Sequence, residues 1–156
     1  MTIVYKILSV VVNVVAMFLA ILMVLSLPVL FSSTLNMLSG FMLVCIVLYG
    51  WFSFSFQRQV LKKHQKVKPM LRDMIKINGY ISLFYSTIII GGMLVFLKQP
   101  GMLLEQIKQM GVVVELAAIQ SMLYTVFFVG LVLFVHILWT LALVRKFNDF
   151  FTGNEK

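Results

Sequence analysis

Residues 61–76 read LKKHQKVKPMLRDMIK and hold six of the chain's thirteen Lys and Arg residues. On either side of this stretch charge disappears. No Asp, Glu, Lys or Arg occurs from Ile7 through Gln57, from Ile77 through Leu97, or from Leu116 through Val144. Of 156 residues, 62% are hydrophobic and 12% charged, and mean hydropathy is +1.04. That charged share is about half of the usual globular value. A soluble domain of this length cannot hide so much apolar surface. A helix needs about 20 apolar residues to cross the hydrocarbon core of a bilayer. The second and third charge-free runs therefore hold one span each. The first is long enough for two, and SLPVLFSST (26–34) divides it at the helix-breaking Pro28. The sequence predicts an all-α, integral-membrane four-helix bundle in a single domain. Its spans lie near 6–27, 35–57, 74–97 and 117–144, with a basic loop at 58–73 and a second loop at 98–116. Barrel strands would alternate apolar with polar residues, and these runs are continuously apolar.

The first span is expected to be retained. Its apolar run exceeds the roughly 7–15 residues of a signal-peptide core, and no A-x-A-like cleavage site follows. Cys45 is the only cysteine, so no disulfide framework forms within the chain.

Four spans put both termini on the same side as the basic loop. Arg58, Lys62, Lys63, Lys66, Lys68, Arg72 and Lys76 then share a face with Lys6, Arg145, Lys146 and Lys156, eleven in all; the other face has Lys98 and Lys108. The positive-inside bias predicts that the eleven-residue face is cytoplasmic. The expected location is a cytoplasmic (plasma) membrane, most simply a bacterial inner membrane. Aromatics crowd the same level: Tyr49, Trp51, Phe52, Phe54 and Phe56 end the second span, Tyr80 starts the third and Trp139 lies near the end of the fourth. Amphipathic rings favour such interfaces.

Pro69 suggests a shape for the loop, because proline suits a helix's first turn and pushes the preceding residue out of helical geometry. The second helix is expected to run past the membrane to about Val67, and the third to start near Pro69. On a helix Val60, His64 and Val67 share a face, with Lys62, Lys63 and Lys66 opposite. Met70, Leu71, Met74 and Ile75 supply a matching face, giving a cytoplasmic helical hairpin with its lysines outward. Lys62, Lys63 and Lys66 are the candidate contacts for anionic lipid headgroups, at about 1 kcal/mol each near the surface. Nucleic acid is not an expected partner, since the stretch lacks stacking aromatics and any binding module.

Transmembrane helices associate through small residues and a few polar contacts. Ser9, Asn13, Ala16 and Ala20 fall within about 60° on the first span, and Gly79, Ser82 and Ser86 align on the third. Ser121, Thr125, His136 and Thr140 lie within about 100° on the fourth, and Cys45, Tyr49 and Ser53 follow i, i+4, i+8 spacing on the second. These stripes are expected to face one another. Between the third and fourth spans, Leu103, Leu104, Ile107, Met110 and Val114 share one helical face, with Glu105, Lys108 and Glu115 on the other. A short interfacial helix fits that pattern, with a Glu105–Lys108 pair and a bend at Gly111.

Catalytic readings fail for want of residues. The spans contain no carboxylate and no Lys or Arg, which a proton-coupled carrier needs. A four-helix drug exporter would carry a Glu in its first span, where this chain has Asn13. Quinone-linked disulfide enzymes need cysteine pairs. No phosphate loop, nucleophile elbow or metal-ligand cluster occurs. A bis-histidine haem fails on depth. His136 lies nine residues before Arg145, about 13 Å below the boundary, and His64 six residues beyond Arg58, about 9 Å above it. The two rings would be roughly 20 Å apart along the membrane normal. No enzyme activity, metal or cofactor is expected.

Asn13, Ser82, Ser86 and His136 remain as ligand or packing candidates, with His136 neutral and turned into the bundle toward another helix. Two functions follow. One is a non-enzymatic protein that packs against a membrane partner or a second copy of itself, as an accessory subunit, assembly factor or protective protein. The other is a carrier or binder of a lipidic ligand in an intrabundle cavity ringed by those four residues.

Overall fold

The computed structural model describes residues 3–109, 111 and 114–151, and every regular element among them is helical. Six α-helices follow in order: α1 (Ile3–Leu25), α2 (Leu27–Leu30), α3 (Thr34–Phe56), α4 (Pro69–Lys98), α5 (Pro100–Gln109) and α6 (Leu116–Lys146). A π-helical turn, Gln57–Lys62, extends α3, and a 3-10 turn, Asn148–Phe151, follows α6. Four helices are long and apolar enough to cross a membrane: α1, α3 with its extension, α4 and α6. The one-turn α2 carries Pro28 and separates the first two, and Ser33 caps α3 by accepting from the Asn36 N–H at 3.2 Å.

Long helices joined by short connections pack as sequence neighbours. α1 lies against α3, α3 against α4 and α4 against α6, and α6 closes the ring on α1 along its thinnest seam. The core is built from Val12, Ile46, Tyr49, Phe56, Ile75, Leu133, Ile137 and Val144. α1 and α3 are in tight contact at Gly50, where an added Cβ would stand 2.6 Å from the Ala16 Cβ.

Two details differ from the sequence reading. On α6 the buried positions are Ile119, Leu123, Gly130, Leu133, His136, Ile137, Thr140 and Val144, while Ser121 and Thr125 are exposed. Most of that stripe repeats every seven residues. A straight 3.6-residue projection drifts from such a stripe by about 20° per heptad, which carries the two upper hydroxyls out of the core.

The second difference is at the basic end. α3 does not run to Val67. Its last turns widen into the π turn, and His64 then adopts a left-handed backbone (φ 50°) that stops the helix. Lys68, held extended by Pro69, has φ −63° and ψ 143°, and Pro69 opens α4. In place of a standing hairpin the loop lies against the C-terminal turn. The Val67 N–H donates to the Phe150 carbonyl at 2.8 Å, and Phe151 stacks on Phe56 with ring centroids 5.8 Å apart. The Arg72 Nη1 donates to the Asn148 Oδ1 at 3.3 Å, and its Nε pairs with Asp73. Val60, Val67 and Phe151 are all buried in this junction. His64 is not on their face; it is exposed, beside Phe150. Phe151→Ala should cost about 3 kcal/mol. The Val67 amide should then exchange with solvent at least about tenfold faster, as read by hydrogen exchange. An unchanged rate would mean that the clamp does not hold the loop.

At the opposite end α5 packs on α4 and α6; Leu103, Leu104 and Ile107 are half-buried, and Glu105 and Lys108 are exposed with no ion pair among the described residues. Gly111 turns the chain at φ 77°, which favours glycine. Met110 and Lys156, used in the sequence reading, lie outside the described residues.

Candidate functional site

Three helices each carry an aromatic or imidazole ring four residues before a hydroxyl: Tyr5 and Ser9 on α1, Tyr49 and Ser53 on α3, His136 and Thr140 on α6. Residues at i and i+4 share a helix face, so each pair enters the bundle together. All six side chains are buried. The His136 Nε2 lies 2.9 Å from the Ser9 Oγ, and its Nδ1 lies 2.9 Å from the Tyr49 hydroxyl. The Tyr5 hydroxyl lies 3.1 Å from the Thr140 Oγ1. Tyr5 stacks on the imidazole at 5.3 Å and 13°, and Tyr49 meets it edge-on at 5.8 Å and 75°.

A neutral imidazole has one N–H donor and one acceptor nitrogen, and hydroxyls can serve either. The ring therefore satisfies both partners in either tautomer without a charge. No carboxylate lies in the cluster to support an imidazolium. Ser9–His136 and Tyr5–Thr140 link α1 to α6, and Tyr49–His136 links α3 to α6. Interhelical hydrogen bonds in membranes average about 0.6 kcal/mol and reach about 1.7. Two of the three cross the seam where helix packing is thinnest.

The four candidates from sequence are not brought together. His136 is the centre of the cluster. Ser86 is buried but donates to the Leu83 carbonyl of its own helix at 2.9 Å. Ser82 is fully buried with no hydrogen-bond partner among the described residues, and Ser53 is in the same state. Asn13 is half-buried one turn beyond Ser9 and makes no side-chain hydrogen bond among the described residues. None of the described grooves is lined by any of the four. Tyr5 was missed because it sits next to Lys6, at the edge of the span read from sequence. Its i, i+4 relation to Ser9 was the available signal.

Lys62, Lys63 and Lys66 are exposed at the basic end but do not form one patch. Trp51, Ser55 and Gln59 make a ridge along α3 with a groove on each side. The larger, about 450 Å³, runs toward α4 and takes Lys66 and Lys68 as its polar wall. The smaller, about 340 Å³, takes Arg58 and Lys63. Lys62 lines neither.

No protein family, curated protein or solved structure matches the chain. Among the described residues no group of three or more His, Cys, Asp or Glu could hold a metal, and Cys45 is buried with a free thiol. An axial-ligand role for His136 would require breaking its bond to Ser9 or to Tyr49.

Proposed function

We propose that this is a non-enzymatic multi-pass membrane protein that acts by packing its helices against a second membrane protein, as an accessory subunit, assembly factor or protective protein. The closed interior carries this reading. Ser9, Tyr49 and both nitrogens of His136 are engaged with one another at the centre of the bundle. A carrier of lipidic ligands would need a cavity there, and none of the described grooves reaches it. The surface available for contact is apolar: Val14, Phe18, Ile21 and Leu25 follow one another along the outer face of α1, all more than half exposed.

Photo-crosslinking residues placed at those four positions test the proposal in the native membrane. One protein species should be captured at successive turns of α1, whereas adducts to lipid alone at every position would defeat it.

The eleven-to-two charge asymmetry supports an orientation with the basic end in the cytoplasm of a bacterial-type inner membrane. In a Cys45→Ala background, Lys108→Cys should label from outside intact cells, and Lys66→Cys only after permeabilisation. Labelling of position 66 in intact cells would invert the orientation.

A further inference from the structure

We propose that the groove between α3 and α4 at the basic end binds the headgroup and upper acyl chains of an anionic phospholipid. The chain leaves helical geometry before α4, and Lys68 is extended. Val67 is buried and its N–H is clamped by Phe150; the exposed Lys66 and Lys68 on either side of it line the same groove that Val67 does. On a continuous helix the same lysines would stand about 200° apart. The loop's departure from helix is what creates the pair.

The groove is graded in polarity along its length. At the mouth are the two ammonium groups and Gln59, with Ser55 one turn deeper. Below them Trp51, Leu71 and Met74 present apolar surface. Gln59 and Trp51 are two turns apart, about 12 Å. No acidic residue lines the groove, and the nearby Asp73 is engaged by Arg72 at 3.0 Å. The Trp51 ring is exposed at the apolar end of the groove. A volume of about 450 Å³ falls within the usual range of small-molecule sites. Two cations over an apolar slot, at the end of a membrane span, complement a phosphate diester carrying acyl chains. This site goes beyond the packing role and does not depend on it.

Trp51 itself is the reporter. In full-length Trp139→Phe protein it is the sole tryptophan, and quenching by brominated phosphatidylglycerol is compared with quenching by brominated phosphatidylcholine in mixed bilayers. Stronger quenching by the anionic lipid is expected. Each lysine near the surface is worth about a fivefold change in affinity, so Lys66→Gln with Lys68→Gln should lower the preference about thirtyfold. Lys6→Gln with Lys62→Gln removes equal charge outside the groove and should leave it within about twofold. Equal loss in both double variants would reduce the effect to diffuse surface attraction and overturn the site. Equal quenching by the two lipids would overturn it as well, as would displacement by soluble glycerol phosphate at matched concentration. Native mass spectrometry of protein retaining Trp139 supplies a second readout. A bound phosphatidylglycerol lost only in the Lys66, Lys68 variant supports the proposal, and its absence from the wild type opposes it.

Discussion

His136→Ala is expected to destabilise the bundle by about 3–5 kcal/mol, the range for losing a large buried ring. The imidazole is 1% exposed and fills the space between Tyr5 and Tyr49, so its removal leaves a cavity lined by two rings. It also strips the Ser9 and Tyr49 hydroxyls of their recorded partner. In water such orphaned hydroxyls would rehydrate; inside a bilayer they cannot. Thermal unfolding in detergent, followed by the helical circular dichroism signal, should show the loss. Ser9→Ala and Tyr49→Phe each remove one bond and keep the ring in place. Each should cost only about 0.6–1.7 kcal/mol. A His136→Ala protein no less stable than Ser9→Ala would show that the cluster does not hold the helices together.

Gly50→Val is expected to push α1 off α3 and cost about 3 kcal/mol, at the upper end of overpacking effects. Even alanine at this position would bring two Cβ atoms to 2.6 Å, and Ala16 has no flexible end to swing aside. One backbone must move. The contact can be tested by compensation: Ala16→Gly removes the opposing Cβ, so Gly50→Ala should be harmful alone and close to neutral in the double variant. Additive effects would mean that the helices do not meet there. Gly91 and Gly92 offer a control, since a Cβ at either meets nothing within 4 Å. Alanine there should be tolerated.

The four spans were legible because charge is excluded from a bilayer at high cost, so charge-free runs mark them directly. The start of α4 at Pro69 and the short α5 were legible from proline chemistry and from amphipathic spacing. The interior was harder. Ser9, Tyr49 and His136 stood in stripes, yet spacing cannot say which stripe meets which, and it gave Ser82, Ser86 and Asn13 the same weight as His136. The upper end of the α6 stripe was misread because a straight-helix projection ignores the seven-residue repeat. The basic end was misread for a different reason. Val60, His64 and Val67 satisfy a helical period, but the Phe150 carbonyl, some eighty residues later in the chain, holds the Val67 N–H in another arrangement. Local pattern carries no trace of such a distant competitor.

The tie between Val67 and Phe150 has a consequence for the order of assembly. A ribosome delivers residues 61–68 long before residues 147–151, so the loop between α3 and α4 must wait, unformed, until the last helix has been inserted and the turn behind it has emerged. The Lys66–Lys68 wall is then one of the final pieces of the molecule to take shape. Chains truncated before Phe147 and released from the ribosome would carry all four spans with the loop still loose, and the finished protein would differ from them chiefly at this one corner.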